Sequence, residues 1–348
     1  MRALEAKLDR VVAGMTALRD EGRFDEPNLD GTKGDYISFD AWEWPQGVGL
    51  YALMKLAADG HRPALFETVR GWFARHLATG LPPLNVNTTA PMLALSMLWR
   101  VEKDETVATA LHDWADRVMD GAPRTAEGGF QHDVSDRKNP GELWDDTLFM
   151  VALFLANFGD ACGRRELVDE AERQFLVHTR YLADPATGLW FHGWTFDGRH
   201  NFARARWARG NAWVSAGTLD LMELAAITPA VRQYLIGVLT TQVDALLACQ
   251  SDGGAWRTLL DDPQSYEEMS ATAGFAYALL KGARLGIGDA AWKAAGARGL
   301  KRVLSELDAT GTLCQVSYGT RMGHDLDFYR AIPIQPTAYG QAMALLCL

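Results

Sequence analysis

Apolar residues return every three or four positions along almost the whole chain, and runs that alternate residue by residue are few. That is the pattern of helices rather than strands. Leu4, Leu8, Val11, Val12, Met15 and Leu18 form the first stripe and predict a helix over 2–19. The same spacing predicts helices over 45–58, 63–78, 88–101, 105–120, 144–160, 164–183, 209–226, 229–249, 268–285, 289–307 and 336–347. About twelve helices follow one another with no Pro/Ser-rich linker, so residues 1–348 read as a single domain.

The connections alternate in kind. Short links such as ITPA follow one helix of each pair, and long loops rich in Gly and aromatic residues precede the other. Four of those loops resemble one another: EGGFQHD from Glu127, TGLWFHG from Thr187, DGGAWRT from Asp252 and TGTLCQV from Thr310. They recur at intervals of roughly 60 residues, which means repeated helical hairpins whose loops gather on one face. Alternate helices are full of small residues, as in GNAWVSAGTLDL and SATAGFAYALLKGA, and suit a crowded inner ring. The expected fold is therefore all-α, a six-hairpin α/α barrel, with an open solenoid or a bundle as the rival. Its cleft would lie at the N-terminal ends of the inner helices.

Composition narrows the partners. Hydrophobic residues make up 48% and charged residues 22%, ordinary for a globular protein. The net charge of −10 argues against a nucleic-acid binder, which must neutralise phosphates. No apolar run reaches the roughly 18 residues needed to cross a bilayer, so no membrane partner is expected. The four cysteines are far apart and form no CxxC, and MRALEAKLDR reads as an amphipathic helix rather than a signal peptide. Reduced thiols in a cytoplasm are the simplest expectation. The eight histidines show no HExxH or similar spacing, so no metal and no cofactor is expected. Twelve tryptophans, several of them in loops, suit stacking against sugar rings, although packing competes.

Candidate chemistry falls at the predicted cleft. In GELWDDTLFM, Asp145 and Asp146 precede an apolar helix, where carboxylates also serve simply to complement unpaired N–H groups. Adjacent helical residues point about 100° apart, so at most one faces the axis, and position alone does not say which. FARARWARGNAW offers Arg204, Arg206 and Arg209 among Trp207 and Trp213; guanidinium groups grip carboxylates and Trp stacks on sugars, or Arg packs on Trp as a cation–π pair. His132 and His192 hold equivalent places in two of the repeated loops, and His324 is a weaker candidate. NVNTTAP supplies Asn85, Asn87, Thr88 and Thr89, which helix capping accounts for. WEWPQG adds Trp42, Glu43 and Trp44, and YEEMSATA adds Glu267 and Glu268 as helix-start charges.

Taken in order, GGFQHD, ELWDDTLFM, LWFHGW and RWARGNAW resemble glycoside hydrolase family 105, the unsaturated rhamnogalacturonyl hydrolases, relatives of the family 88 unsaturated glucuronyl hydrolases. The resemblance runs from about Trp42 to about Met222. It implies a six-hairpin α/α barrel and a substrate with a 4,5-unsaturated uronic acid at its non-reducing end. In such a reaction an Asp protonates C4 of the vinyl ether and water adds at C5. The hemiketal then rearranges and releases the next sugar. By the same resemblance Asp146 is the proton donor, Arg209 the carboxylate anchor, Trp207 and Trp213 sugar-holding aromatics, and Trp44 part of the cleft wall. His132 and His192 lie near the reactive ring, and Asn87 stands where relatives carry an acidic or amide residue. Asp145 is left as a helix-start charge that helps keep Asp146 protonated. The expected partner is a small oligosaccharide, most simply unsaturated galacturonyl-rhamnose. The rivals are an unsaturated β-glucuronyl hydrolase acting on ulvan or glycosaminoglycan fragments and a non-catalytic carbohydrate-binding barrel. The sequence leaves the role of loop 310–335 open, a cover over the cleft being one use for it.

Overall fold

The computed structural model describes residues 2–22, 26–58, 60 and 62–348. Its helices are α1 (Arg2–Thr16), α2 (Trp44–Ala58), α3 (Ala64–Thr79), α4 (Val86–Glu102), α5 (Glu105–Gly121), α6 (Leu153–Cys162), α7 (Arg165–Leu182), α8 (Ala208–Leu224), α9 (Pro229–Cys249), α10 (Met269–Arg284), α11 (Ala290–Ser305), α12 (Leu326–Arg330) and α13 (Ala338–Cys347). Helices α2, α4, α6, α8 and α10 each pack on the next, α10 packs on α13, and α13 packs back on α2. The ring is closed, as expected of an α/α barrel. Outside it, α1 rests on α13, α3 on α2, α5 on α4, α7 on α6, α9 on α8 and α11 on α10.

Side-chain chemistry sorts the two rings. Outer α5 buries one stripe, Leu111, Trp114, Ala115 and Val118, and leaves its other face to water. Inner α8 is buried without a break from Ala208 to Leu221. Small residues permit this crowding: a Cβ on Gly274 of α10 would sit 2.9 Å from the Ala212 Cβ of α8. Caps fix where helices begin: Asn85 and Thr88 form a reciprocal capping box on α4, and Glu268 accepts the Ser270 and Ala271 N–H groups of α10.

Three features depart from the expected rhythm. The helix of 144–160 opens with a π-helical turn over Leu148–Ala152 before α6. The short α12 lies inside the loop after α11. Two three-residue strands, β1 (Glu142–Trp144) and β2 (Gly193–Thr195), pair antiparallel, with Trp144 opposite Gly193. This pairing clips together the two loops that carry His132 and His192.

Candidate active site

A cavity of about 430 Å³ opens among the loops at the N-terminal ends of the inner helices. Six of the eight residues expected in the site line it: Trp44, Asn87, His132, Asp146, Trp207 and Arg209. His192 stands behind Asp146, with Nε2 3.4 Å from Oδ2. Trp213 does not line the cavity. It is fully buried, edge-on to Trp44 at 6.2 Å and against Phe149 at 4.9 Å, so it supports the cavity wall from beneath.

Asp145 and Asp146 sit in the turn between β1 and the π-helical turn, and the Asp145 N–H is held by the His192 carbonyl at 3.0 Å. Asp146 faces the cavity, whereas Asp145 points toward α8. A Cβ on Gly210 would lie 2.1 Å from Asp145 Oδ2, so only glycine leaves room for this carboxyl. Asp145 is wholly buried and neither of its oxygens meets a hydrogen-bond donor at bonding distance. Burial, then the neighbouring Asp146 charge, raises the Asp145 carboxyl well above the usual range. Burial also opposes ionisation of Asp146, but His192, His132 and Asp145 outweigh it and draw that carboxyl down to about 2. The two directions are opposite: the surroundings favour a proton on Asp145 over one on Asp146, where the sequence reading has Asp145 keeping its neighbour protonated.

The histidines are positioned from behind. His192 Nδ1 lies 2.7 Å from the Tyr329 hydroxyl; with that hydroxyl donating, the ring proton sits on Nε2, facing Asp146. His132 stacks on Trp144 at 4.2 Å, and its Nδ1 lies 2.8 Å from Thr147 Oγ1. Burial lowers His132 to about 3, so it is a neutral ring. Asp145, Asp146 and His192 form the one compact carboxylate–histidine cluster among the described residues, with one donor atom from each within 4.8 Å of the others.

Arg209 differs from the expected anchor. Its Nη1 donates to the Ser317 carbonyl at 2.8 Å and to Ser317 Oγ at 2.5 Å, and its Nη2 donates to the Tyr318 carbonyl at 2.9 Å and Thr320 Oγ1 at 2.8 Å. Those four bonds use every terminal N–H, and only Nε–H lacks a partner. A two-pronged grip on a carboxylate is therefore not on offer while loop 317–320 is in place. Arg209 ties that loop down, between the rings of Trp207 at 4.5 Å and Tyr339 at 4.8 Å. Loop 310–335 contributes Tyr318, Arg321, Phe328 and Ile332 to the cavity lining. Arg204 and Arg206 lie off it. Arg204 packs over Phe191, and Arg206 bridges Asp184 and Asp261.

Sequence reasoning passed over most of the opposite wall. Tyr36 donates to Asp136 at 3.0 Å and accepts from Asn87 Nδ2 at 3.3 Å, while Arg321 joins Asp136 to Glu26. Behind them Glu43 is buried, bonded to Ser135, and pushed up to about 8 by burial. No spacing rule links these residues, because they come from three separate loops and the first turn of α4. His324 is exposed, against Phe202 and off the cavity.

With this geometry in view, likeness to known proteins adds a family. Residues 24–348 match Glycosyl Hydrolase Family 88. The chain is 30% identical over 308 residues to the unsaturated rhamnogalacturonyl hydrolase YesR of Bacillus subtilis, covering 88% of each protein. A crystal structure of a possible member of the GH105 family from Salmonella enterica serovar Paratyphi A superposes with a TM-score of 0.96 at 43% identity, covering 99% of this chain and 92% of that one. An unsaturated glucuronyl hydrolase from Bacillus sp. GL1 shares the fold, with a TM-score of 0.71 at 20% identity over 99% of this chain and 94% of that one.

Proposed function

The chain belongs to Glycosyl Hydrolase Family 88, and from that premise we propose that it hydrates the 4,5-unsaturated uronate at the non-reducing end of short lyase-generated oligosaccharides. One observation carries the reading. Of the three acidic residues lining the cavity, Glu26 and Asp136 are both paired with Arg321, and Asp146 alone remains for chemistry. Ordinary glycoside hydrolysis calls for two free carboxyl groups flanking the scissile bond. Vinyl ether hydration calls for one acid that gives a proton to C4 and takes one back from the water that adds at C5.

The aromatic lining supports a sugar. Trp44 and Trp207 face the cavity, where aromatic rings suit contact with a sugar. For the uronate carboxylate, Arg209 contributes its charge, and Arg137 lines the cavity with a guanidinium. Four unpaired cysteines support a reducing compartment, and we place the enzyme in the cytoplasm. Among the described residues no helix is long and apolar enough to cross a membrane.

Galacturonate and glucuronate differ only at C4, and the double bond removes that stereocentre. Both parent sugars therefore yield the same unsaturated ring, and specificity rests on the anomeric linkage and the next sugar. The assay follows loss of the conjugated double bond's ultraviolet absorbance with unsaturated galacturonyl-rhamnose (α-linked) and with β-linked unsaturated glucuronyl disaccharides. Faster loss with the first is expected. Faster loss with the second assigns the rival linkage, and no loss with any unsaturated substrate refutes hydration.

A further inference from the structure

We propose that Asp145 is the proton store behind Asp146, reloading it during turnover although Asp145 itself does not touch the substrate. The inference rests on the hydration reaction proposed above. Its observations concern a residue outside the cavity lining. Asp145 is fully buried, its two oxygens take no hydrogen bond from a side chain, and it is sealed against α8 by the bare Cα of Gly210; burial outweighs the Asp146 N–H and the Arg209 charge that favour its ionised form. What it faces is the Asp146 carboxyl, within the same 4.8 Å cluster as His192. A buried carboxylate without donors is costly, and a buried carboxylic acid sharing its proton with a neighbouring carboxylate is not.

The proton count then closes. At rest the pair holds one proton, on Asp145. As the substrate carboxylate enters and water leaves, negative charge accumulates beside Asp146, and the proton moves across to it. Asp146 transfers that proton to C4 while the C4–C5 π electrons form the new C–H bond, leaving an oxocarbenium ion at C5. Both carboxyls are now ionised side by side, which makes the pair a strong base. Water adds its oxygen to C5 and gives a proton to Asp146, the hemiketal forms, and the pair again holds one proton. One residue thus serves as acid first and base second because its neighbour changes charge between the two steps.

Two measurements test this. Asp145→Asn keeps the shape of the side chain but has no transferable acid proton. At neutral pH its kcat should fall about ten- to a hundredfold with KM nearly unchanged. Lowering the pH should restore rate, since Asp146 must then be protonated from solvent, whereas the wild-type rate should stay level over the same range. The groups facing the pair, His132, His192, Arg209 and Tyr329, are present in both proteins, so the difference between the two profiles belongs to Asp145. An Asp145→Asn enzyme with wild-type kcat and pH profile overturns the proposal. The second measurement needs no variant. In wild-type enzyme carrying 13C-carboxyl aspartate, one aspartate should still be protonated at pH 7, and finding none overturns the proposal even if Asp145→Asn fails to fold. If wild type turns over no unsaturated substrate, the hydration reading fails separately, and the labelled carboxyl still reports on the pair.

Discussion

The barrel buries acidic residues at both ends of its inner helices and treats them differently. At the C-terminal end, Asp220 of α8 takes the Tyr277 hydroxyl on Oδ1 at 2.6 Å and the Lys281 ammonium on the same oxygen, and Lys281 also reaches Glu223. Burial opposes ionisation of Glu223, but Lys281 and Lys55 outweigh it and draw that carboxyl down to about 2. At the N-terminal end, Asp145 takes no hydrogen bond from a cation, Arg209 acting on it only through space, and it lies beside another carboxyl. A lysine fixes charge in place and stabilises one conformation. Two facing carboxyls hold a mobile proton instead, at a cost in stability that the rest of the ring absorbs. The first cluster is architecture and the second is chemistry.

The largest effects come from removing the central member of each cluster. Asp146→Asn should lower kcat by about a thousandfold or more and leave the melting temperature nearly unchanged; an active Asp146→Asn enzyme in the ultraviolet assay would remove this residue from the reaction. Lys281→Met should do the reverse. It strands Asp220 in the ring interior and should destabilise the fold by about 3–5 kcal/mol, read by denaturant unfolding, with kcat per folded molecule unchanged. Adding Asp220→Leu to Lys281→Met should recover much of the loss, because the uncompensated charge is then gone. If kcat fell in step with stability, the two ends of the barrel would be coupled and the contrast between them would fail.

Glu43 offers a further buried carboxyl, behind the far wall of the cavity, and it sharpens the comparison through pH. It is pushed up to about 8 by burial, from an ordinary value near 4.5. Between those values the folded protein keeps a proton that the unfolded chain has released. Stability from this group is therefore complete below pH 4.5 and declines as pH rises toward 8. The slope is at most about 1.4 kcal/mol per pH unit. Glu43→Gln should flatten the fall in melting temperature between pH 5 and pH 8, and an unchanged slope would mean that Glu43 is ionised and satisfied in the fold.

The helices were legible because both rings leave a mark: Leu111, Trp114, Ala115 and Val118 stripe an outer helix, and Ala–Gly runs such as that around Gly274 announce an inner one. The same packing hid the phase of the inner helices. A helix buried all round has no polar face to show which side meets the cavity, and so Trp213 reads like Trp207 although only Trp207 lines it. Arg209 was legible as a buried charge but not as a loop tether, because half of its acceptors are backbone carbonyls, of residues 317 and 318, and the others are hydroxyls more than a hundred residues away in sequence. Choosing Asp146 over Asp145 rested on family likeness. The packing of Asp145 against Gly210 depends on two segments more than sixty residues apart, and no local pattern joins them.

The finest distinction concerns Tyr329, which serves the chemical end in two ways. Its hydroxyl meets His192 Nδ1 at 2.7 Å, accepts the Gly323 N–H at 3.1 Å and has Met322 Sδ as a longer, weaker alternative acceptor at 3.6 Å. The first contact fixes which nitrogen of His192 faces Asp146, and the second holds the loop that lines the cavity. Tyr329→Phe removes both without emptying the space the ring fills. Loss of the tautomer lock should lower kcat about three- to tenfold at constant KM, since a fraction of His192 would then turn a bare nitrogen toward the Asp146 carboxylate. Loss of the loop contact should instead raise KM at constant kcat, since the lining loop would open more readily. Steady-state kinetics separates the two. A kcat effect is expected, because the loop keeps its ties to Arg209 while His192 Nδ1 has no other hydrogen-bond partner among the described residues. A pure KM effect would move Tyr329 from the proton-handling set to the support of the lining loop.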